Sequence, residues 1–160
     1  MLRAEKSQEV FVRNILSTFL ILLLLFPVSA IGEIQTIAPV DGKFTNPQKA
    51  IEYLTNSIRL KPDDFEAYNN RGVVYAYLGR YQNAQADYDK AIRLKPDDNG
   101  AYYNYACLFA LQQDASQACN WLRLAIERGY KNWENLQTDK DFNNIRNEKC
   151  FVDILNKYAK

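Results

Sequence analysis

A seven-residue phrase occurs twice in this chain. Ile58-Arg59-Leu60-Lys61-Pro62-Asp63-Asp64 returns 34 positions later as Ile92-Arg93-Leu94-Lys95-Pro96-Asp97-Asp98. Repetition at such a period constrains the fold more than any other feature here. It implies one small supersecondary unit, copied and stacked so that neighbouring copies bury each other's apolar faces. Between the two phrases, Tyr68, Gly72 and Tyr75 are spaced to share one face of a helix. Ala84, Tyr88 and Ala91 do the same on a second helix. Gly72 and Ala84 are small, so the two backbones can approach closely while tyrosine rings fill the space around them. Leu78-Gly79-Arg80 reads as the stop between them, with Gly79 in the left-handed cap position. Lys95-Pro96 ends the second helix, and Asp97 or Asp98 can cap the next.

These residues resemble the tetratricopeptide repeat, whose pattern runs W-x2-L-G-x2-Y, then A-x3-F, then P. Tyr68, Gly72, Tyr75, Ala84, Tyr88 and Pro96 occupy its slots, and Arg71 stands where the pattern has Leu. The resemblance implies an all-α fold, a short right-handed superhelix of antiparallel helix pairs closed by a C-terminal helical cap. On this frame residues 65–98 are one full repeat. Residues 47–64 are a half repeat holding a second helix alone: Asn46-Pro47 is a helix start, and Ala50, Ile51, Leu54 and Ile58 form its apolar stripe. One flank of that helix lacks its usual partner and is either covered by the linker or open to another molecule, including a second copy of the chain. Residues 99–131 are a degenerate repeat, with Tyr102, Ala106 and Phe109 on the first helix, Ala118, Leu122 and Ala125 on the second, and Gly129 as the closing cap. Residues 132–160 form the helical cap, with Trp133 to Gln137 as a short helix and Phe142, Ile145, Phe151, Ile154 and Leu155 as its apolar positions.

Ahead of the repeats, Arg3, Lys6 and Arg13 precede an apolar run from Ile15 to Phe26 and then Pro27-Val28-Ser29-Ala30. A basic start, a short hydrophobic stretch and small residues at a cleavage site predict a signal peptide over 1–30, cut after Ala30. The alternative is an uncleaved anchor, the only route by which this chain meets a membrane, and with it the role of a membrane-anchored assembly factor for a protein complex. Residues 31–46, with Gly32, Pro39 and Gly42, read as linker. Periplasm, thylakoid lumen and secretory pathway all accept such a signal.

The composition argues against chemistry. There is no histidine, so the commonest general base and metal ligand are both missing. A formal net charge of +1 on spread lysines and arginines gives nucleic acid nothing to bind. No glycine-rich phosphate loop is present. The carboxylate pairs Asp63-Asp64 and Asp97-Asp98 follow helix-ending prolines, where capping accounts for them. No enzyme, cofactor or metal is therefore expected. The three cysteines, Cys107, Cys119 and Cys150, fit no zinc spacing. They are either buried thiols or one disulfide with a thiol left over, and Cys107 with Cys119, on the two helices of one unit, is the pair to test.

In the tetratricopeptide family, partners lie along the concave surface lined by the first helix of each repeat. Carried over, the resemblance places Glu66, Asn69, Val73, Ala76 and Tyr77 on that surface, followed by Tyr103, Cys107, Ala110 and Leu111. Such a mixed, aromatic lining suits an extended peptide or short amphipathic helix, with Tyr77 and Tyr103 as anchors. Chaperone-binding members clamp a C-terminal carboxylate with basic residues. Here Asn69, Val73, Tyr103 and Cys107 hold those slots, so the clamp is absent. The resemblance implies a protein-binding scaffold.

Overall fold

In a computed structural model that describes residues 45–158, three of the helices begin where an aspartate side chain caps them. Asp64 accepts from the Ala67 N–H at 3.1 Å, Asp98 from Ala101 at 3.0 Å and Asp114 from Gln117 at 3.0 Å. Each caps a free N–H of the first turn. The helices are α1 (Pro47–Leu60), α2 (Phe65–Tyr77), α3 (Tyr81–Leu94), α4 (Asn99–Leu111) and α5 (Ala115–Glu127), then α6 (Trp133–Thr138), a 3-10 helix (Lys140–Ile145) and α7 (Lys149–Tyr158). The chain divides after Asn46, and the unit from Pro47 onward is described by itself. The expected signal segment and all but the last two residues of the linker lie outside the described residues.

The expected helix pairs are present: α2 packs on α3, and α4 on α5. Gly79 and Gly129 end α2 and α5 with φ of +69° and +96°, the left-handed conformation that glycine adopts without strain. Between α4 and α5 the same position is held by Gln113 at φ +61°, a substitution that the sequence pattern did not reveal. Gly72 is the contact point of the α2–α3 pair. A Cβ there would lie 2.5 Å from Cε1 and 2.7 Å from Cδ1 of Tyr88, whose ring is buried. Tyr88 in turn packs with Ala84, Tyr105 and Leu108, carrying the core from the first pair to the second. Tyr105 stacks on Trp121 with centroids 4.1 Å apart.

Arg71, the departure from the repeat pattern, has a physical reason. Its guanidinium grips both carboxylate oxygens of Asp87 on α3, at 2.7 and 2.8 Å, and donates to Thr55 Oγ1 on α1 at 3.0 Å. One side chain thus ties three helices where leucine would join two.

One expectation is corrected. The disulfide joins Cys119 to Cys150, linking α5 to the start of α7, and Cys107 is a buried free thiol. Cys107 faces the segment after α6, as its contact with Asp139 shows, whereas Cys119 meets α7. The two cysteines of one helical hairpin are thus turned to different neighbours. On α1, Ala50, Ile51 and Leu54 are buried and Ile58 is half-buried, and the helix packs on α2; its exposed large apolar residues are Tyr53 and Leu60.

Candidate functional site

First helices α2 and α4 lie side by side, joined by a hydrogen bond from Asn104 Nδ2 to Asn69 Oδ1 at 3.0 Å. Along α2, Glu66 and Tyr77 are exposed, while Asn69, Val73 and Ala76 are half-buried. Val73 and Ala76 pack at the edge of the Tyr88 cluster. The α2 part of the expected surface therefore meets solvent, with Tyr77 46% exposed.

The α4 part does not. Tyr103 is 7% exposed, and Cys107 and Ala110 are buried with it; Leu111 is half-buried. What covers them is the chain's own segment after α5. Tyr103 stacks on Tyr130 at 4.4 Å and meets the edge of Phe142 at 5.7 Å. Its hydroxyl donates to Asp139 Oδ2 at 2.6 Å and accepts from Asn135 Nδ2 at 2.9 Å. The 3-10 helix packs on α4, with Phe142 and Ile145 fully inside the core. Tyr103 is thus an internal anchor, seated by residues of the cap. The sequence held one signal of this: α4 carries no charged residue. A helix apolar all round must be covered on all sides. Asp139, Asn135 and Phe142, which do the covering, were not singled out as partners of that face.

Under the covering segment lies a cluster of acids. Cys107 Sγ lies 3.9 Å from Asp139 Oδ2, and Asp141 stands close by. Burial pushes the Cys107 thiol well above its ordinary range, helped by the two carboxylates. Burial, with the Asp139 charge second, raises the Asp141 carboxyl to about 6. Burial likewise holds the Tyr103 hydroxyl protonated as a donor. Donor atoms of Cys107, Asp139 and Asp141 lie within 4.8 Å of one another, the one such set among the described residues. The thiol keeps its proton at neutral pH, so as it stands the set is a hydrogen-bonded cluster built around Tyr103.

The tetratricopeptide repeat family model matches residues 65–98, the stretch bounded by the two acidic caps. Among solved structures, the chain is similar to the TPR2B domain of yeast Sti1 in its complex with pHsp70. Identity is 21% over 69% of this chain and 84% of that one, with a TM-score of 0.52, so the likeness is one of fold. Residues 65–98 thus match a tetratricopeptide repeat, set within an all-helical fold similar to that domain's. No curated protein matches the chain. The matched tetratricopeptide repeat is α2 and α3 together, which includes the open half of the first-helix face. In this chain the second first helix, α4, spends that face on its own cap. Among the described residues no helix is long and apolar enough to cross a membrane.

Proposed function

We propose that the chain is a non-catalytic adaptor of an exported compartment that holds a peptide or short amphipathic helix against α2. The observation that carries this reading is the contrast along one surface: the cap covers Tyr103, Cys107 and Ala110, whereas Glu66 and Tyr77 face solvent beside Asn69, Val73 and Ala76. Tyrosine supplies large rigid contact area and the amide supplies backbone-directed hydrogen bonds, the usual means of holding an extended segment. The fold favours a protein ligand: the Sti1 domain it is similar to was solved with pHsp70. The ligand here differs in chemistry, because Asn69, Val73, Tyr103 and Cys107 leave no cationic clamp for a terminal carboxylate. With one open first helix the contact is short, so affinity is modest unless a second attachment assists. Export is supported by the signal-like N-terminus and by the Cys119–Cys150 disulfide, a bond that persists in oxidising compartments.

The test is a crosslinking pull-down from native extract with wild type and a Glu66→Lys, Tyr77→Ala variant, both folded by circular dichroism. A partner held by the wild type and lost by the variant supports the reading; equal capture by both contradicts it. A second reading, self-association through α1, is favoured by Leu60 at 77% and Tyr53 at 48% exposure. Sedimentation equilibrium of Leu60→Asp against wild type tests it. A concentration-dependent mass that the substitution abolishes would support it, and a monomer in both cases would remove it.

A further inference from the structure

We propose that the Cys119–Cys150 disulfide is a redox clasp on the first-helix face. Closed, it holds residues 133–145 over α4; reduced by a dithiol, it lets that segment lift and adds Tyr103, Cys107 and Ala110 to the open surface. The idea rests on the reading of this face as the binding face, but its test needs no partner.

Topology carries the argument. The covering segment lies wholly inside the loop of sequence separation 31 that the disulfide closes. One end is tied to α5 through the Gly129 turn, the other to α5 again through Cys150, at the start of α7. Between these ties stand two six-residue helices, too short to persist without tertiary support. The α2–α3 repeat, with its own Tyr88 cluster, lies outside the loop and does not depend on the clasp for its covalent path.

The seat of the segment is also electrostatically poor. Asp139 and Asp141 are pressed together beside Cys107, and among the described residues no ion pair neutralises either carboxylate. Arg146, a cation that contacts this segment, donates to the backbone carbonyls of Gln137 and Asp139 rather than to either carboxylate. Buried Leu136, Phe142 and Ile145 hold the segment down, and the mutual repulsion of the acids opposes them. Closing the loop tips this balance by removing most of the segment's freedom when detached.

The reduction balances as an ordinary exchange. A thiolate of the dithiol attacks Sγ of Cys150, the less buried of the two cysteines, and the Cys119 sulfur leaves and takes a proton. The second thiol of the reductant then displaces Cys150. The protein gains two electrons and two protons, and the reductant becomes a cyclic disulfide.

The experiment uses the full chain and dithiothreitol. Cys107 alkylation by N-ethylmaleimide is followed by mass spectrometry, with amide hydrogen exchange read in parallel, for oxidised wild type, reduced wild type and Cys119→Ser, Cys150→Ser. Opening the clasp is expected to speed Cys107 labelling on the order of a hundredfold, from the loop entropy released. Protection should fall in 133–158 and along α4, while α2 and α3 keep theirs. The serine variant should match the reduced protein without reagent. Unchanged Cys107 labelling on reduction, or in the serine variant, would overturn the proposal. So would protection lost from α2 and α3 in step with the rest, because the disulfide would then support the whole fold and not this segment.

Discussion

Gly72→Ala is the sharpest test of how the α2–α3 pair is packed. In an exposed helix interior this change stabilises by about 1 kcal/mol, because glycine gives up more backbone freedom than alanine. Here the new Cβ would sit 2.5 Å from Tyr88 Cε1 and 2.7 Å from Cδ1, about 1 Å inside the contact distance of two carbons. The ring has nowhere to go. Tyr88 is 1% exposed and lies against Tyr105 with centroids 5.5 Å apart. Either the ring leaves its rotamer or the helices separate, and overpacking of this kind costs about 1 to 3 kcal/mol. An overlap against a rigid ring belongs at the upper end. Setting about 3 against the propensity gain of about 1 leaves a net loss of about 2 kcal/mol. Urea denaturation followed by circular dichroism measures it, with an unchanged slope confirming that stability alone has moved. A second background isolates the cause. In Tyr88→Leu the ring is gone, and Gly72→Ala should become neutral or stabilising, a coupling of about 2 to 3 kcal/mol. A stabilising Gly72→Ala in the wild type, or the same loss in both backgrounds, would refute the reasoning.

Other consequences follow from named contacts. Asp87→Ala leaves the half-buried Arg71 guanidinium without its carboxylate, with Thr55 as the remaining side-chain hydrogen bond, and should cost about 2 to 3 kcal/mol. Arg71→Leu with Asp87→Ala should recover part of this in the same denaturation assay, since no unpaired charge remains. The Asp141 carboxyl, raised to about 6 by burial and the Asp139 charge, binds its proton more tightly folded than unfolded. Stability should therefore fall as pH climbs from about 4 through 6. Asp141→Asn should gain on wild type above pH 6 and match it near pH 4. Peptide mapping without reduction should recover Cys119 joined to Cys150, with Cys107 alkylated only after unfolding; a Cys107–Cys119 peptide would contradict the packing described.

The parts of this fold that were legible in the sequence are those governed by local rules. Pro47 begins α1, the acidic pairs supply the caps Asp64 and Asp98, and Gly79 and Gly129 take the left-handed turns. Each is a backbone requirement met by one residue type within a few positions. Arg71 was visible as an exception, but its meaning was not, because its partner Asp87 is set by how α2 meets α3. The covered half of the first-helix face was hidden for a related reason. Residues 133–145 form helices of six residues with no period to read, and their docking on Tyr103 joins positions more than thirty apart in the chain. The cysteine pairing failed on the same ground: neighbouring helices in the sequence are not the ones whose sulfurs meet.

The central claim is that partners engage α2 on its open first-helix face. The most direct measurement places a photo-crosslinking amino acid at Glu66 or Tyr77 in one set of proteins. A second set carries it at Gln82 or Arg123, exposed positions on the second helices α3 and α5. After irradiation in native extract, the account predicts one common adduct from positions 66 and 77 and none from 82 and 123. Adducts from the second helices alone, or from all four positions alike, would contradict it.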